Sequence, residues 1–508
     1  MNKEKRVRVR FAPSPTGPLH LGGIRTALYN YLFAKKEKGD FILRIEDTDQ
    51  ARYVPGAEKY ILEALEWLGL KTDEDPVQGG PSKTYRQSER VEIYQKEIKR
   101  LLESGDAYYA FDTPEELEKM RERLLSAKVI SPKYNTISRE FMKNSLVMPK
   151  EEVEKLIAKG TPYVIRLKTP HKKNINFFDE VRGWIKVDYT EMEDKVLIKS
   201  DGIPTYHFAN VVDDYMMKIS HVIRGEEWLP STPVHVLLYE VLGWKNEMPK
   251  FIHLPVILKP CGKGKLSKRD TDQLGFPVFP LNWISPEGDF SKGLKESDYL
   301  PEAILNFLAL MGWNPGTSQE VFSLEQLIEN FSLKKIGKSG AKFNIEKAKW
   351  FNSQHMNNLP SEYVLERVEK VLSEKKIYPQ KIALQKIIKE VISRNNFFDE
   401  VANEIEIYLT SPIYKKEDLE KFKITDEGLS ALKYFLEKLK NDSENFDVKN
   451  ALVNAAEKFL LKSTALMPLV RYAISAQRKG IELSLVLDFI GKKTSIDRIE
   501  SFIKLNEK

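Results

Sequence analysis

The chain has 508 residues, of which 42% are apolar and 30% are charged, and its formal net charge is +6. This composition is typical of a globular protein, and the length suits roughly three to five domains. The single cysteine, Cys261, excludes an intrachain disulfide and a thiolate metal cluster, and favours a reducing, cytoplasmic setting. No apolar run approaches the roughly 20 residues of a membrane helix, and the charged start lacks a signal-peptide core, so we expect neither membrane insertion nor secretion.

The N-terminal segment predicts a strand, a helix and a second strand. Apolar residues alternate over 7–11 with the period of a strand, and a run rich in proline ends this segment. Apolar residues then recur at helical spacing over 24–32, before the cations and glycine of 35–39 that are typical of a helix C-terminus. Alternation returns over 41–45. Such a βαβ unit predicts a parallel sheet that binds ligands at the carboxyl ends of its strands.

Strand-like segments recur far downstream, at 195–199, 219–223 and 251–258. The intervening residues 106–194 carry their own proline and glycine breaks, and a predicted helix over 114–125 has Thr113 as its N-cap. We therefore predict a mixed domain inserted into the sheet.

The C-terminal third differs in pattern and in charge. Beyond about residue 336, strand signals are nearly absent, and amphipathic windows such as 382–393 and 429–439 predict helical bundles. Residues 331–508 hold 32 Lys and Arg against 25 Asp and Glu, a balance of +7, whereas the rest of the chain has a balance of −1. The surplus suits an RNA backbone, although solvated lysine-rich helices would show the same surplus.

Two segments carry candidate chemistry. His20-Leu21-Gly22-Gly23 lies where the first helix begins, so free N–H groups, a positive helix end and an imidazole could meet a phosphate. Lys265-Leu266-Ser267-Lys268-Arg269 follows a strand, and its cations could cover a polyphosphate. Neither the glycine signature of dinucleotide folds nor that of P-loop enzymes is present. Taken singly, the first segment could be an ordinary turn and the second a basic surface loop.

Taken together, the two segments resemble the HIGH and KMSKS signatures of class I aminoacyl-tRNA synthetases. Further motifs resemble, in order and spacing, the glutamyl-tRNA synthetase family of the bacterial type: Phe11-Ala12-Pro13-Ser14-Pro15-Thr16-Gly17, Arg44-Ile45-Glu46-Asp47-Thr48-Asp49, Tyr85-Arg86-Gln87-Ser88, Ser200-Asp201-Gly202-Ile203-Pro204-Thr205-Tyr206, Val211-Val212-Asp213-Asp214 and His221-Val222-Ile223-Arg224-Gly225. The resemblance is dense from Arg10 to about Trp350.

This resemblance implies a ligase that activates L-glutamate with ATP, releases pyrophosphate, and transfers the glutamyl group to the 3′-terminal adenosine of tRNA(Glu). Catalytic roles fall to His20 at the α-phosphate and to Lys265 and Lys268 at the β- and γ-phosphates. The ATP-binding positions that match are Gly22, Gly23, Glu227, Lys265, Leu266, Ser267, Lys268 and Arg269. Mg²⁺ is expected only as part of the ATP complex, with no metal site in the protein.

Glutamate carries two carboxylates and one ammonium, so a selective pocket needs guanidinium groups and a carboxylate. Arg10 and Arg224 match family positions for the acids, and Glu46 matches the position for the amine. Ser14, Tyr206 and Asn210 match the neutral hydrogen-bonding positions. Taken singly, the arginines could form surface ion pairs and Glu46 could be a turn carboxylate.

The resemblance also divides the chain. We predict a Rossmann-like α/β catalytic domain in two halves, 1–105 and 195–240, with an inserted acceptor-binding domain at 106–194. A stem-contact domain with the basic loop follows at 241–335. An all-helical anticodon-binding region completes the prediction in two parts, 336–394 and 395–508. Many family members bind zinc in the insertion, but Ala110 and Asp112 stand where cysteines would be needed, so zinc is not expected. The stretch 270–300 is longer than usual, and its proline and aromatic content predicts an ordered insert.

Two alternatives remain open at this stage. A non-discriminating enzyme would also charge tRNA(Gln). The choice between the two enzymes depends on anticodon contacts that the sequence does not identify. A synthetase-derived RNA-binding protein without catalysis would be expected to have lost His20, Lys268 or the glutamate pocket, and all of these are present. A monomer is the default expectation for the oligomeric state.

Overall fold

A computed structural model describes residues 6–171, 173–267, 270, 275–415, 424–441 and 446–507. The chain divides into two compact units, the first formed by the residues up to Ser297 and by Ile304–Ile345, the second by Asp298–Ala303 and the residues from Glu346 onward. No helix in the described ranges is long and apolar enough to cross a membrane.

The strands and helices have the following bounds. The strands are β1 Arg8–Phe11, β2 Asp40–Leu43, β3 Ala107–Ala110, β4 Val164–Leu167, β5 Ile175–Asp179, β6 Gly183–Val187, β7 Val196–Ile198, β8 His221–Gly225, β9 Lys250–Leu254, β10 Ile257–Leu258, β11 Trp283–Ile284, β12 Phe290–Ser291 and β13 Ala341–Lys342. The helices up to residue 300 are α1 Leu21–Lys36, α2 Ala57–Trp67, α3 Val91–Ser104, α4 Pro114–Ser126, α5 Lys150–Ala158, α6 Tyr206–Met216 and α7 Thr232–Val241. The later helices span Pro301–Ala309, Leu324–Asn330, Ile345–Asn357, Ser361–Glu374, Lys381–Val391, Phe398–Leu409, Asp426–Asn441, Val448–Lys458, Ser463–Ser475, Leu483–Ile490 and Lys492–Asn506.

Parallel strands form the centre of the first unit. β1 pairs with β2, β8 pairs with β9 and β9 pairs with β5, all in parallel, and β6 adds an antiparallel edge to β5. Their apolar residues are buried on both faces, as Val9, Ile42 and Ile252 show with no exposed surface. Burial of each such side chain contributes about 1.5–3 kcal/mol. The predicted α/β class is confirmed.

The strand pairing departs from the expectation in two places. The segment at 195–199, expected in the catalytic half, forms β7 and pairs antiparallel with β4, in a separate sheet with β3. Conversely, β5 and β6 lie within 106–194 but join the parallel sheet through β9. A strand pattern specifies which side chains are buried and not which strand is the neighbour, so the pattern alone could not assign these partners.

The start of α4 is specified locally, as predicted. The Thr113 hydroxyl accepts a hydrogen bond from the Glu116 N–H at 3.3 Å, and the Glu116 carboxylate accepts one from the Thr113 N–H at 2.8 Å. Pro114 occupies the first helical position, where no N–H is needed. This reciprocal cap is worth about 1 kcal/mol.

The insert at 270–300 is ordered over its described part. β11 and β12 form an antiparallel hairpin, and the Trp283 ring meets the Tyr60 ring edge-on with centroids 5.2 Å apart. The Tyr60 hydroxyl donates to the Leu281 carbonyl at 2.6 Å and accepts from the Leu281 N–H at 2.9 Å. These contacts attach the hairpin to α2.

The second unit is helical over its described residues, as the amphipathic windows predict. In Lys381–Val391, Leu384, Ile387, Ile388 and Val391 are buried, and they share one face because they are three or four residues apart. The segment at 298–303 packs into this unit: the Asp298 carboxylate accepts from Arg367 at 2.6 Å and from the Phe398 N–H at 2.8 Å.

Candidate active site

His20 is the N-cap residue of α1. Its Nδ1 accepts hydrogen bonds from the N–H groups of Gly22 at 3.0 Å and Gly23 at 3.4 Å. A Cβ atom at Gly22 would lie 3.0 Å from the ring carbon Cε1, so glycine leaves room for the imidazole to fold over the helix end. Burial, and then the nearby Lys265 ammonium, lower the pKa of His20, so the ring is neutral near pH 7. Because Nδ1 accepts, the proton lies on Nε2, which is free to donate.

The basic segment begins on a tight hairpin. The Lys259 N–H donates to the Gly264 carbonyl at 3.1 Å, and the Leu266 N–H donates to the Ile257 carbonyl at 2.8 Å. Gly264 has φ +81°, a left-handed conformation that glycine adopts without strain. Lys268 and Arg269, two of the predicted ATP-binding residues, lie outside the described residues.

The chain that follows the basic segment contacts the first turn of α1, and the basic segment itself pairs with Glu227. After the basic segment, the Val278 carbonyl accepts a hydrogen bond from the Leu21 N–H at 3.1 Å, at the first turn of α1. The Lys265 ammonium also forms an ion pair with Glu227, with Nζ and Oε1 3.0 Å apart. Partial burial opposes ionisation of Glu227, but its own backbone N–H and Lys265 outweigh this and lower its pKa. His20, Lys265 and Glu227 therefore belong to one electrostatic cluster.

The Lys265–Glu227 ion pair is half exposed, with 56% and 45% of the two side chains accessible. Water screens such pairs, and their net worth is about 0–1 kcal/mol. Either side chain can therefore turn to a nucleotide at little energetic cost.

Arg224 is a buried guanidinium at the carboxyl end of β8. Nε donates to His253 Nε2 at 3.1 Å, Nη1 donates to the Tyr206 hydroxyl at 2.8 Å and Nη2 donates to the Thr232 hydroxyl at 3.0 Å. Within the described ranges, no carboxylate forms an ion pair with it. A buried charge without a counter-charge costs several kcal/mol, so this site favours an anionic ligand.

Arg10, at the end of β1, differs from Arg224. Its Nε and Nη2 donate to the two oxygens of Asp214 at 2.9 and 3.2 Å, and the pair is almost fully buried. A second guanidinium, Arg44, donates to the same carboxylate at 2.8 Å. Arg10 thus has a buried internal counter-charge and keeps both Nη1 hydrogens and one Nη2 hydrogen for a ligand, whereas the sequence alone offered a carboxylate-binding position or a surface ion pair.

Glu46 follows β2 and is buried beside these arginines. Its Oε1 accepts from Arg44 at 3.0 Å and from Asn210 Nδ2 at 2.7 Å. Burial raises the pKa of Glu46 despite the nearby Arg44 and Arg10. Asn210 Oδ1 is also buried and has no hydrogen-bond partner among the described residues. An ammonium would satisfy this acceptor and would stabilise the charged form of Glu46.

The two remaining pocket predictions occupy different environments. Tyr206 begins α6, and its hydroxyl accepts from Arg224, which leaves the hydroxyl hydrogen free to donate. Its ring lies against Trp228, with centroids 4.6 Å apart. Ser14 is exposed in the loop after β1, and its carbonyl accepts from the Thr16 N–H at 2.8 Å.

Sequence analysis gave Asp213 and Asp214 only as part of a family motif and missed that they are buried charges behind the pocket. Asp213 accepts from Arg90 at 2.7 Å and from the Tyr94 hydroxyl at 2.7 Å, and Asp214 accepts from Arg10 and Arg44. The signal that could have revealed them is two adjacent carboxylates inside the apolar helix α6, because a buried carboxylate needs a buried partner.

The segment in which many family members bind zinc holds a hydrogen-bond network here. Asp112 Oδ2 accepts from the Tyr134 hydroxyl at 3.0 Å, and Oδ1 accepts from the Lys143 N–H at 2.6 Å. Within the described parts of the chain, no three His, Cys, Asp or Glu side chains converge as a metal site. That the protein functions without zinc stays a prediction.

Comparisons with known proteins agree with this geometry. The family model described as class I tRNA synthetases (E and Q), catalytic domain, matches residues 6–350, and an anticodon-binding domain model matches residues 363–503. Proteins named glutamate–tRNA ligase from Amoebophilus asiaticus and Cytophaga hutchinsonii are 50% and 49% identical, over 99% of this chain and 99% and 98% of theirs. The crystal structure of a glutamate tRNA ligase from Elizabethkingia meningosepticum in complex with its amino acid has a TM-score of 0.92 at 46% identity, covering 98% of this chain and 99% of that one. The chain therefore belongs to the family of class I tRNA synthetases for glutamate and glutamine.

Proposed function

We propose that the chain is a glutamate–tRNA ligase, which activates L-glutamate with ATP and transfers the glutamyl group to the 3′-terminal adenosine of tRNA(Glu). The observation that carries this proposal is Arg224, a buried guanidinium with no carboxylate partner among the described residues. A ligand with a negatively charged side chain supplies the missing charge, whereas the amide of glutamine does not.

The nucleotide end of the site neutralises the negative charge of the ATP phosphates. The Nε2–H of His20 donates to the α-phosphate oxygen as negative charge builds there, while Lys265 and Lys268 hold the β- and γ-phosphates of the leaving pyrophosphate. Gly22, Gly23, Leu266, Ser267 and Arg269 line the ATP site, and Glu227 meets the ribose. Mg²⁺ enters as part of the ATP substrate.

The amino acid end of the site binds each charged group of glutamate with side chains of opposite or complementary polarity. Arg224 and the free Nη1 of Arg10 bind the carboxylates, and Glu46 with the unpartnered Asn210 Oδ1 binds the ammonium. The Tyr206 and Ser14 hydroxyls add neutral hydrogen bonds. Fixed donors of this kind hold the carboxylate of glutamate in place for attack on the α-phosphate.

The C-terminal helical region binds the anticodon arm of the tRNA, which the +7 charge balance of residues 331–508 favours. The inserted domain contacts the acceptor end. The enzyme acts in the cytoplasm as a monomer.

Aminoacylation with radiolabelled glutamate tests this function, with tRNA(Glu) and tRNA(Gln) transcripts assayed in parallel and pyrophosphate exchange measured without tRNA. Charging of tRNA(Glu) alone is the expected result. Charging of both transcripts would establish a non-discriminating enzyme. Charging of neither would contradict the proposal and favour a non-catalytic RNA-binding protein.

A further inference from the structure

Two buried residues behind Arg224 have no role in the pocket described so far. His253 Nε2 accepts the hydrogen bond from Arg224 Nε at 3.1 Å, and His253 Nδ1 lies 2.7 Å from Asp179 Oδ2. Asp179 and His253 have no exposed surface, so neither can touch a substrate. Together the three side chains form a continuous buried chain.

The register of the sheet creates this chain. Arg224 on β8 stands opposite His253 on β9, and Asp179 on β5 stands opposite Phe251, two residues from His253 along the same strand. Residues two apart on a strand face the same side of a sheet, so Asp179 and His253 share a face. Three adjacent parallel strands thus each contribute one member.

Only one arrangement of protons satisfies the chain. The Asp179 carboxylate can only accept, and its Oδ1 already accepts from the Val181 and Arg182 N–H groups at 3.0 and 2.8 Å. His253 must therefore donate from Nδ1 to Asp179 and accept at Nε2 from Arg224. Burial lowers the pKa of His253, which keeps the ring neutral as this arrangement requires.

The consequence for Arg224 is a fixed guanidinium plane. Nε is bound to His253, Nη1 to Tyr206, and Nη2 to Thr232 and, at 3.4 Å, to the Trp228 carbonyl, so the second Nη1 hydrogen has a fixed direction. The rotamer freedom of the arginine side chain is therefore lost on folding instead of on ligand binding.

We propose that Asp179 and His253 are positioning residues that orient Arg224 and thereby set the affinity of the enzyme for glutamate without touching it. This inference rests on the proposed function, because it assumes that Arg224 binds a carboxylate of glutamate. Under this proposal, the specificity for glutamate depends on the residues that line the pocket and also on Asp179 and His253, on the neighbouring strands β5 and β9.

Asp179→Asn is the first test, read out by pyrophosphate exchange. The amide NH₂ can donate to His253 Nδ1, which would move the ring proton to Nε2 and oppose the Arg224 N–H. We expect the KM for glutamate to rise about tenfold or more, because a hydrogen bond to a charged group is lost, with kcat and the KM for ATP little changed. Asp194→Asn is the control for loss of a buried carboxylate away from Arg224, since Asp194 is equally buried and accepts from Tyr108, Thr169 and Arg139. It should leave the KM for glutamate unchanged.

A pair of His253 variants separates the two hydrogen bonds. In His253→Gln the amide oxygen can occupy the Nε2 position and accept from Arg224, whereas in His253→Asn the shorter amide reaches only the Asp179 side. We expect the Asn variant to raise the KM for glutamate as Asp179→Asn does, and the Gln variant to rescue most of the loss. This pair decides the question even if Asp179→Asn fails to fold.

The Arg224→Gln background distinguishes positioning from general damage. If Asp179 acts through Arg224, adding Asp179→Asn to Arg224→Gln should raise the KM for glutamate less than about twofold further. An effect that persists in full in this background would overturn the inference, as would an unchanged KM in both Asp179→Asn and His253→Asn. An unchanged KM in Arg224→Gln itself would instead overturn the proposed pocket, and the inference with it.

Discussion

The proposed amino acid end and the proposed nucleotide end of the site differ in how deeply their charged side chains are buried. Arg10, Arg44 and Asp214 at the amino acid end are almost fully buried and joined by hydrogen bonds of 2.8 to 3.2 Å. Lys265 and Glu227 at the nucleotide end are half exposed, and Lys265 lies on a hairpin with left-handed glycines. Buried charges give a rigid template that distinguishes ligands by charge, and exposed charges can rearrange around a large leaving group at little cost.

This comparison has a consequence for mutations. A change at the amino acid end should affect both folding and substrate affinity, because buried charges depend on one another. A change at the nucleotide end should affect the chemical step and leave stability almost untouched. The predictions below test this separation, from the largest expected effect to the smallest.

Asp214→Ala should have the largest effect. It leaves Arg10 and Arg44 buried without their shared counter-charge, so we expect the free energy of unfolding to fall by about 3–5 kcal/mol. Urea denaturation followed by circular dichroism measures the loss. A change below about 1 kcal/mol would show that this end is not the rigid template described here.

His20→Ala should reduce the rate of glutamyl-adenylate formation by about 10²–10³, the usual cost of losing one donor to a developing charge. The KM for glutamate should change little, because His20 lies at the other end of the site. Pyrophosphate exchange at saturating ATP measures the rate. His20→Asn is the control for the helix cap, since its amide oxygen can still accept from the Gly22 N–H and should preserve stability without restoring the rate.

Acidification should destabilise the amino acid end through His207. Burial, with Lys195 and Arg224 nearby, lowers the pKa of His207 to about 4, so the folded ring stays neutral while the unfolded ring takes up a proton below about pH 6.5. The contribution to stability is therefore present above pH 6.5 and is lost as the pH falls toward 4.

For a partly buried ring we expect a loss of about 1 kcal/mol between pH 7 and 5 from this residue. Urea denaturation at the two pH values measures the total, and His207→Gln should reduce the pH dependence by this amount. An identical pH dependence in the variant would exclude His207 as its source.

Glu227→Gln should have the smallest effect on stability, below about 0.5–1 kcal/mol, because its ion pair with Lys265 is half exposed. The KM for ATP should nevertheless rise, since the proposed contact with the ribose is weakened. Thermal melting and pyrophosphate exchange measure the two quantities on one sample. A large loss of stability would remove the contrast between the two ends of the site.

Much of the fold and of the site could be predicted from the sequence. The first βαβ unit, the Thr113 cap and the apolar helix faces of the second unit are local patterns, and the structure has them where they were predicted. The signature segments depend on short motifs and the family resemblance, and of the second segment the structure describes only Lys265, Leu266 and Ser267. The roles of the individual pocket residues stay predictions until the variants are measured.

Other features were decided only by tertiary structure. The sequence by itself determined which residues carry charge and which segments are strands, because periodicity and residue type are local properties. It could not determine that Arg10 is paired with Asp214 while Arg224 has no acidic partner in the described chain, or that Asp179 and His253 stand behind Arg224. These relations depend on strand neighbours and register across long stretches of chain. The energetic effect of a buried charge depends on the partner that the fold places beside it.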